Sequence, residues 1–153
     1  MIFTFCGHSN YSSNENDKKR LLDLLEEIVQ GKQVEFYLGG YGAFDSFALE
    51  CTKKYKERHP TAKLIFVTPY LDKWLDDRKE FLQSSYDSII YPELERVPKK
   101  FAIAKRNEWM VNQADHVFAY VKSHYGGAYK MLLYAHKHKK SYTNLYQGNY
   151  ELY

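Results

Sequence analysis

The sequence predicts an α/β fold: a three-layer sandwich in which a mostly parallel sheet of about five to six strands is covered by helices on both faces. Three observations lead there. Short apolar runs alternate with helix-periodic segments along the whole chain, the order expected of repeated βα units. The apolar runs are short and bounded by turn residues, as buried strands are. Two strand-to-helix turns are glycine clusters, Gly39-Gly40-Tyr41-Gly42 and Gly126-Gly127, which give the backbone freedom to turn sharply into a helix.

Each element follows from its own pattern. Residues 2–6 form the first apolar run, followed by the turn Gly7-His8-Ser9-Asn10. Residues 12–16 are polar and hold several N-cap candidates. Leu21, Leu22, Leu25, Ile28 and Val29 recur at helical spacing, predicting an amphipathic helix over 17–30 that Gly31 ends from the C′ position. Residues 34–38 read as the second strand and 43–58 as the second helix, stopped by His59-Pro60. Residues 63–68 form the third strand, with Leu64-Ile65-Phe66-Val67 at its centre and Pro69 closing it. A weakly patterned helix is expected over 70–82, a short strand over 87–91 and a loop over 93–100. The next helix is expected over 101–114, with Phe101, Ala104, Met110 and Val111 as its apolar positions. A strand over 116–121, a helix over 127–138 with Met131, Leu132 and Ala135 inward, and a strand over 142–145 complete the alternation.

The 153 residues suit one domain, spanning 1–153. A balance of 22 basic and 19 acidic residues leaves a net charge of only +3, so nucleic acid is an unlikely partner on composition. Lys53, Lys54, Lys56 and Arg58, and then Lys137, Lys139 and Lys140, cluster where helices end, where cations complement the dipole. The two cysteines, Cys6 and Cys51, lack CxxC spacing and read as buried thiols of a reducing compartment. No Cys/His cluster resembles a metal site, and neither a metal nor a cofactor is expected. The start of the chain lacks a basic, then long apolar, leader. No apolar run approaches 18 residues, so no membrane partner is expected and the cytoplasm is the expected location.

The residues able to carry chemistry gather at predicted strand ends. Gly39, Gly40 and Gly42 precede a helix whose unpaired N–H groups and dipole favour an anion, phosphate above all. The third glycine of the dinucleotide fingerprint is replaced by Asp45, and the loop follows the second strand, which excludes an NAD-type site; the absence of GK[ST] excludes a P-loop. Asp45 could cap the loop or bond a ligand hydroxyl. Gly7, His8 and Asn10 end the first strand at the same edge, with His8 as a phosphate donor or acid/base. Pro69 and Tyr70 end the third strand, and Tyr70 or Tyr41 could stack on a ring. Arg106, beside Asn107, reads either as a bidentate phosphate partner or as a surface ion pair with Glu108. Gly126, Gly127 and Ala128 form the second anion-competent turn.

In order and spacing this set resembles the SLOG superfamily, and within it YpsA-like proteins most closely. The carrying motifs are Gly7-His8, Gly39-Gly40-x-Gly42-x-x-Asp45, Leu64 to Tyr70, Lys105-Arg106-Asn107-x-x-Met110-Val111 with Ala114-Asp115, and Gly126-Gly127-Ala128 before Tyr134-Ala135. The resemblance covers roughly residues 1–145. It implies a Rossmann-like domain binding a small-molecule nucleotide-like ligand, such as an ADP-ribose derivative, as a sensor or binding module. More distant relatives are the LOG phosphoribohydrolases, which place an Arg upstream of a PGGxGTxxE loop and helix. Arg106 matches that Arg, but Tyr129 stands at the Thr position and no Glu follows. An alternative is therefore a phosphoribohydrolase or deoxyribosyltransferase-like enzyme cleaving an N-glycosidic bond, with Asp45 or His8 as its catalytic candidates. A third reading is a homo-oligomer with a vestigial pocket, self-associating through Phe101, Trp109 and Tyr134.

Overall fold

The computed structural model describes residues 1–153. Its centre is a six-stranded sheet of β1 (Ile2–Gly7), β2 (Glu35–Leu38), β3 (Lys63–Val67), β4 (Ser88–Ile90), β5 (His116–Tyr120) and β6 (Ser141–Asn144). The spatial order is β4-β3-β2-β1-β5-β6 and every pairing is parallel. Parallel neighbours need a crossover, and helices supply it: α1 (Glu15–Val29), α2 (Ala43–Arg58), the short α3 (Lys73–Asp76) and α4 (Lys79–Ser85), α5 (Ala102–Gln113) and α6 (Gly127–Lys137).

Strand side chains alternate between two cores, as a period of two requires. Phe3, Phe5, Phe36, Leu38, Leu64, Phe66 and Phe118 face the layer that contains α1 and α2. Cys6, Tyr37, Ile65, Val67, Val117 and Ala119 face α5 and α6. Aromatic rings fill much of the first layer; Phe3 meets Phe118 edge-on at 5.5 Å and Phe36 meets Tyr55 edge-on at 5.5 Å. The chain's many rings are used largely as packing material, since each buries a large apolar area.

The element boundaries depart from the sequence expectation where side chains intervene. Helix α1 starts at Glu15 because Asn14 caps it, its Oδ1 accepting the Asp17 N–H at 2.8 Å. It stops at Val29, with Gln30 itself left-handed (φ 51°) before Gly31 (φ 73°). The single helix expected over 70–82 is two. Arg78 Nη1 donates to the Trp74 carbonyl at 2.8 Å, and the Arg78 backbone N–H turns to Leu75 instead. The i to i−4 ladder is thereby interrupted between α3 and α4. A 3₁₀ turn, Lys99–Phe101, leads into α5, whose buried stripe is Ala102, Arg106, Met110 and Val111. Phe101 and Ala104, expected inward, are exposed because they lie off that stripe. Met131, Leu132 and Ala135 face inward on α6. Of the proposed self-association ring set, Trp109 stacks on Tyr37 at 5.6 Å and Tyr134 stacks on His138 at 3.8 Å, which leaves Phe101 as its exposed member. Both cysteines are buried and unpaired, and burial pushes both thiols well above their usual range. No helix is long and apolar enough to cross a membrane.

Candidate functional site

The chain runs outward from β1 to β4 and then returns to place β5 on the other side of β1. Loops after β1 and β5 therefore diverge to opposite faces, and a crevice opens between them at the carboxyl edge. A cavity of about 400 Å³ occupies that crevice, lined from the ends of β1 and β5, the start of α2 and one face each of α5 and α6.

Arg106 forms its floor. The side chain stands on the inward stripe of α5 and is only 2% exposed. Nη1 donates to the carbonyls of Gly39 (3.0 Å) and Val67 (2.7 Å), and Nε donates to Asn107 Oδ1 (3.0 Å). The guanidinium thus binds the carbonyl of the last residue of β3 and that of the residue just after β2. Burial lowers its pKa to about 10, so it stays charged at neutral pH, with Asp45 partly offsetting the shift. It takes no part in an ion pair with Glu108, which pairs with Lys105 at 3.1 Å. Nη2 has no hydrogen-bond partner in the protein, and the Arg106 side chain lines the cavity.

The first glycine turn is filled by the protein itself. The Ala43 N–H at the start of α2 donates to the Ser9 carbonyl at 3.0 Å. A Cβ on Gly42 (φ 91°) would lie 2.8 Å from Ser9 Cα, and one on Gly40 (φ 66°) would lie 2.7 Å from the Phe66 ring. A Cβ on Gly39 would lie 3.1 Å from Arg106 Nη2. These glycines admit neighbouring parts of the same chain, where the sequence pointed to a ligand. Asp45 belongs to this turn: its Oδ2 accepts the N–H of Tyr41, the residue before the Gly42 cap, at 2.7 Å and so ties the loop to the first turn of α2. Desolvation raises the Asp45 pKa to about 6, against the lowering effects of that hydrogen bond and of Arg106.

The second glycine turn is open. Nothing lies within 4 Å of a Cβ built on Gly126 or Gly127. Gly126 (φ 90°) enters α6 without any side-chain cap, and the N–H groups of Gly127, Ala128 and Tyr129 find no backbone or side-chain acceptor. Gly126, Gly127 and Ala128 line the cavity with Lys122 and Ser123, the residues just after β5. His8 ties this wall to the end of β1: its Nε2 accepts the Lys122 N–H at 2.9 Å. That nitrogen is unprotonated, and the His8 pKa is lowered by burial and then by the Lys122 charge. A histidine with its lone pair so engaged is a structural tie rather than a free base.

The structure brings Gly7, His8, Asn10, Tyr41 and Asp45 to the cavity, together with Arg106, Asn107, Gly126, Gly127 and Ala128. It leaves Gly39, Gly40, Gly42, Pro69 and Tyr70 outside the lining. Tyr70 packs edge-on against Trp74 at 5.4 Å, and Lys99 Nζ sits 5.2 Å above its ring. The sequence reading missed Ser9, Lys122, Ser123 and Tyr125. A usable signal existed for the last three: Lys122 to Tyr125 immediately precede a glycine-led helix at a strand end. Asp45 is the one acidic side chain of the lining, against the cations Arg106 and Lys122. The arrangement gathers a helix N-terminus and a buried guanidinium at one cavity, groups whose chemistry suits an anion.

The fold and site thus define a parallel α/β domain with an anion-competent pocket at its topological switch point. No protein-family model matches the chain. It is similar to the uncharacterised SPbeta prophage-derived protein YoqJ of Bacillus subtilis strain 168, with 28% identity over 137 residues, covering 78% of this chain and 80% of that one. Among solved structures it resembles DNA processing protein A of Helicobacter pylori, described for its single-stranded DNA binding mode (TM-score 0.62, 16% identity, 93% of this chain and 63% of that one). It also resembles DNA processing protein A of Streptococcus pneumoniae (TM-score 0.61, 12% identity, 92% and 48%). The chain spans less than two thirds of either protein. At these identities the likeness shows the fold, which is Rossmann-like. It also corrects two expectations. A small nucleotide or ADP-ribose-like ligand and an unlikely role for nucleic acid were expected, with N-glycosidic cleavage or a vestigial pocket as alternatives. The structures that share this fold over more than nine tenths of the chain are DNA processing proteins, one of them described by how it binds single-stranded DNA. The physical reason for the error is that net charge was summed over the whole chain, whereas an anion responds to the local field, here two cations and an open helix end around one cavity.

Proposed function

We propose that this domain binds single-stranded DNA at the carboxyl edge of its sheet, one backbone phosphate entering the cavity. The phosphate is held by the free N–H groups of Gly127 and Ala128, with Lys122 and Arg106 Nη2 supplying charge. Bases on either side stack on Tyr125 and Tyr41. The observation that carries this reading is the uncapped start of α6 beside two unusually exposed rings, Tyr125 at 78% and Tyr41 at 63%. An exposed ring beside an anion site is placed to stack on a base next to a bound phosphate, since every base offers a π-face. The motif resemblance to the SLOG superfamily, and within it to YpsA-like proteins, supports a sheet-edge site built from these residues. The likeness in fold to a protein described by its single-stranded DNA binding mode supports the choice of ligand.

Fluorescence anisotropy with labelled oligo-dT tests the reading. Binding is expected with a Kd on the order of 10⁻⁵ M or tighter at low salt, weakening as salt rises. Tyr125→Ala is expected to weaken it by about 1–3 kcal/mol, the range for one stacked base. Lys122→Gln is expected to lower the magnitude of the salt slope by about 1. No binding to oligo-dT, or equal affinity for a duplex of the same length, would sink the proposal.

A further inference from the structure

The wall of the cavity between β5 and α6, residues 121–126, has no regular structure of its own. Besides the His8 tie at Lys122, its position is set by residues far along the chain. Val121 bonds Asn144 through both its N–H and its carbonyl, at 3.0 and 2.8 Å. The Tyr150 hydroxyl donates to the Ser123 carbonyl at 2.6 Å. His124 Nε2 donates to the Glu151 carbonyl at 2.6 Å, and its ring stacks on Tyr150 at 5.0 Å. Tyr150 and Leu152 also pack against the core layer under α5 and α6. No residue beyond 131 lines the cavity. The segment after β6 therefore reaches the cavity wall through the turn it holds, and the core beneath the cavity through Tyr150 and Leu152.

Resting on the reading above, we infer that Tyr150 and Glu151 are positioning residues, and that the segment 146–153 is a strap fixing the phosphate turn. Ser123 and His124 are the clamped points. Lys122 on one side and Tyr125 and Gly126 on the other are the groups whose placement the clamp determines. A turn held in its bound geometry before the ligand arrives loses less freedom on binding than one that must be ordered then. The strap is also the segment into which ligand binding must feed back. If the strap favours binding, bound ligand must favour the strapped state by the same factor.

Tyr150→Phe isolates the clamp, because it keeps the ring and removes the one hydroxyl bonded to Ser123. Tyr153→Phe is the control: it removes a hydroxyl from the same segment, one bonded to His136 on α6 rather than to the turn. Hydrogen exchange on both variants, with anisotropy on oligo-dT, gives the readouts. Tyr150→Phe is expected to speed amide exchange in residues 122–129 and to weaken oligo-dT binding about fivefold, the range of one hydrogen bond, with the melting temperature little changed. Tyr153→Phe is expected to do neither. In the unaltered protein, saturating oligo-dT is expected to slow exchange across 146–153, which a merely structural tail would not show. Oligo-dT binding without that slowing, or unchanged exchange at 122–129 in Tyr150→Phe, overturns the strap. If the unaltered protein fails to bind oligo-dT, the functional reading falls, while faster exchange at 122–129 in Tyr150→Phe alone still supports the strap.

Discussion

Arg106 Nη1 lies 2.7 Å from the carbonyl of Val67, so a charged side chain on α5 closes the end of strand β3. The same nitrogen reaches Gly39 at the end of β2. One buried cation on α5 therefore closes the ends of two strands, and its side chain also lines the cavity.

Loss of that cation is expected to be costly. Arg106→Ala leaves two buried carbonyls without a donor and Asp45 without its nearest positive charge. Each buried carbonyl left without a donor costs roughly 1–3 kcal/mol, so urea unfolding is expected to show a loss of a few kcal/mol. Arg106→Lys keeps the charge but not the fixed fork, and an intermediate loss is expected. A change below about 1 kcal/mol for Arg106→Ala would show that the strand ends are satisfied by other means.

Asp45 is expected to make the protein less stable as pH rises. Its folded pKa, about 6, is above its ordinary value of 3.8. The folded state therefore holds a proton that the unfolded state has released, and stability falls between about pH 4 and pH 6 on account of this group. Asp45→Asn keeps an oxygen to accept the Tyr41 N–H and removes the titration. Thermal melts across that interval should show a flatter profile for the variant and higher stability above pH 6, by about 3 kcal/mol at most. Identical profiles for the two proteins would contradict the burial of this carboxylate.

His8 acts in the opposite sense. Its folded pKa is depressed, so the unfolded state takes up a proton first and stability is lost as pH falls below 6.5. His116, lowered by burial, adds a background of the same sign, so the comparison is between the unaltered protein and His8→Asn. NMR titration is expected to give His8 a midpoint below 6.5, and oligo-dT binding is expected to change near that midpoint as Lys122 loses its acceptor. A midpoint at or above 6.5 would mean that Nε2 is not engaged as described.

The glycines separate into packing and access. A Cβ at position 7 would lie 2.2 Å from Phe44 Cγ, whereas one at position 127 meets nothing within 4 Å. Gly7→Ala is expected to destabilise by about 1–3 kcal/mol through overpacking. Gly127→Ala is expected to leave stability within about 0.5 kcal/mol, as an open surface position should, while weakening oligo-dT binding. Denaturant unfolding of both variants checks the first pair of statements and anisotropy the last. Equal stability losses would remove the distinction.

Much of the fold could be read from residue order because its cause is local. Leu64 to Val67 is apolar on both faces and short, which suits a strand buried in a parallel sheet. Leu21, Leu25 and Val29 repeat at helical spacing and all three are buried. What misled were side chains that act across the fold. The break between α3 and α4 depends on Arg78 taking the Trp74 carbonyl, and the inward turn of Arg106 depends on carbonyls from β2 and β3.

The sequence by itself determined that strands and helices alternate and that two glycine turns precede helices. Those are properties of neighbours along the chain. Only the tertiary structure decided which turn is open. Gly40 and Gly42 are filled by Phe66 and Ser9, whereas Gly126 and Gly127 face free space beside Lys122 and Tyr125. Both turns have the same local signal, an uncapped helix led by glycine. The strand order that sets β5 beside β1, and so carries Lys122 to His8, arises from how layers pack and not from any stretch of residues.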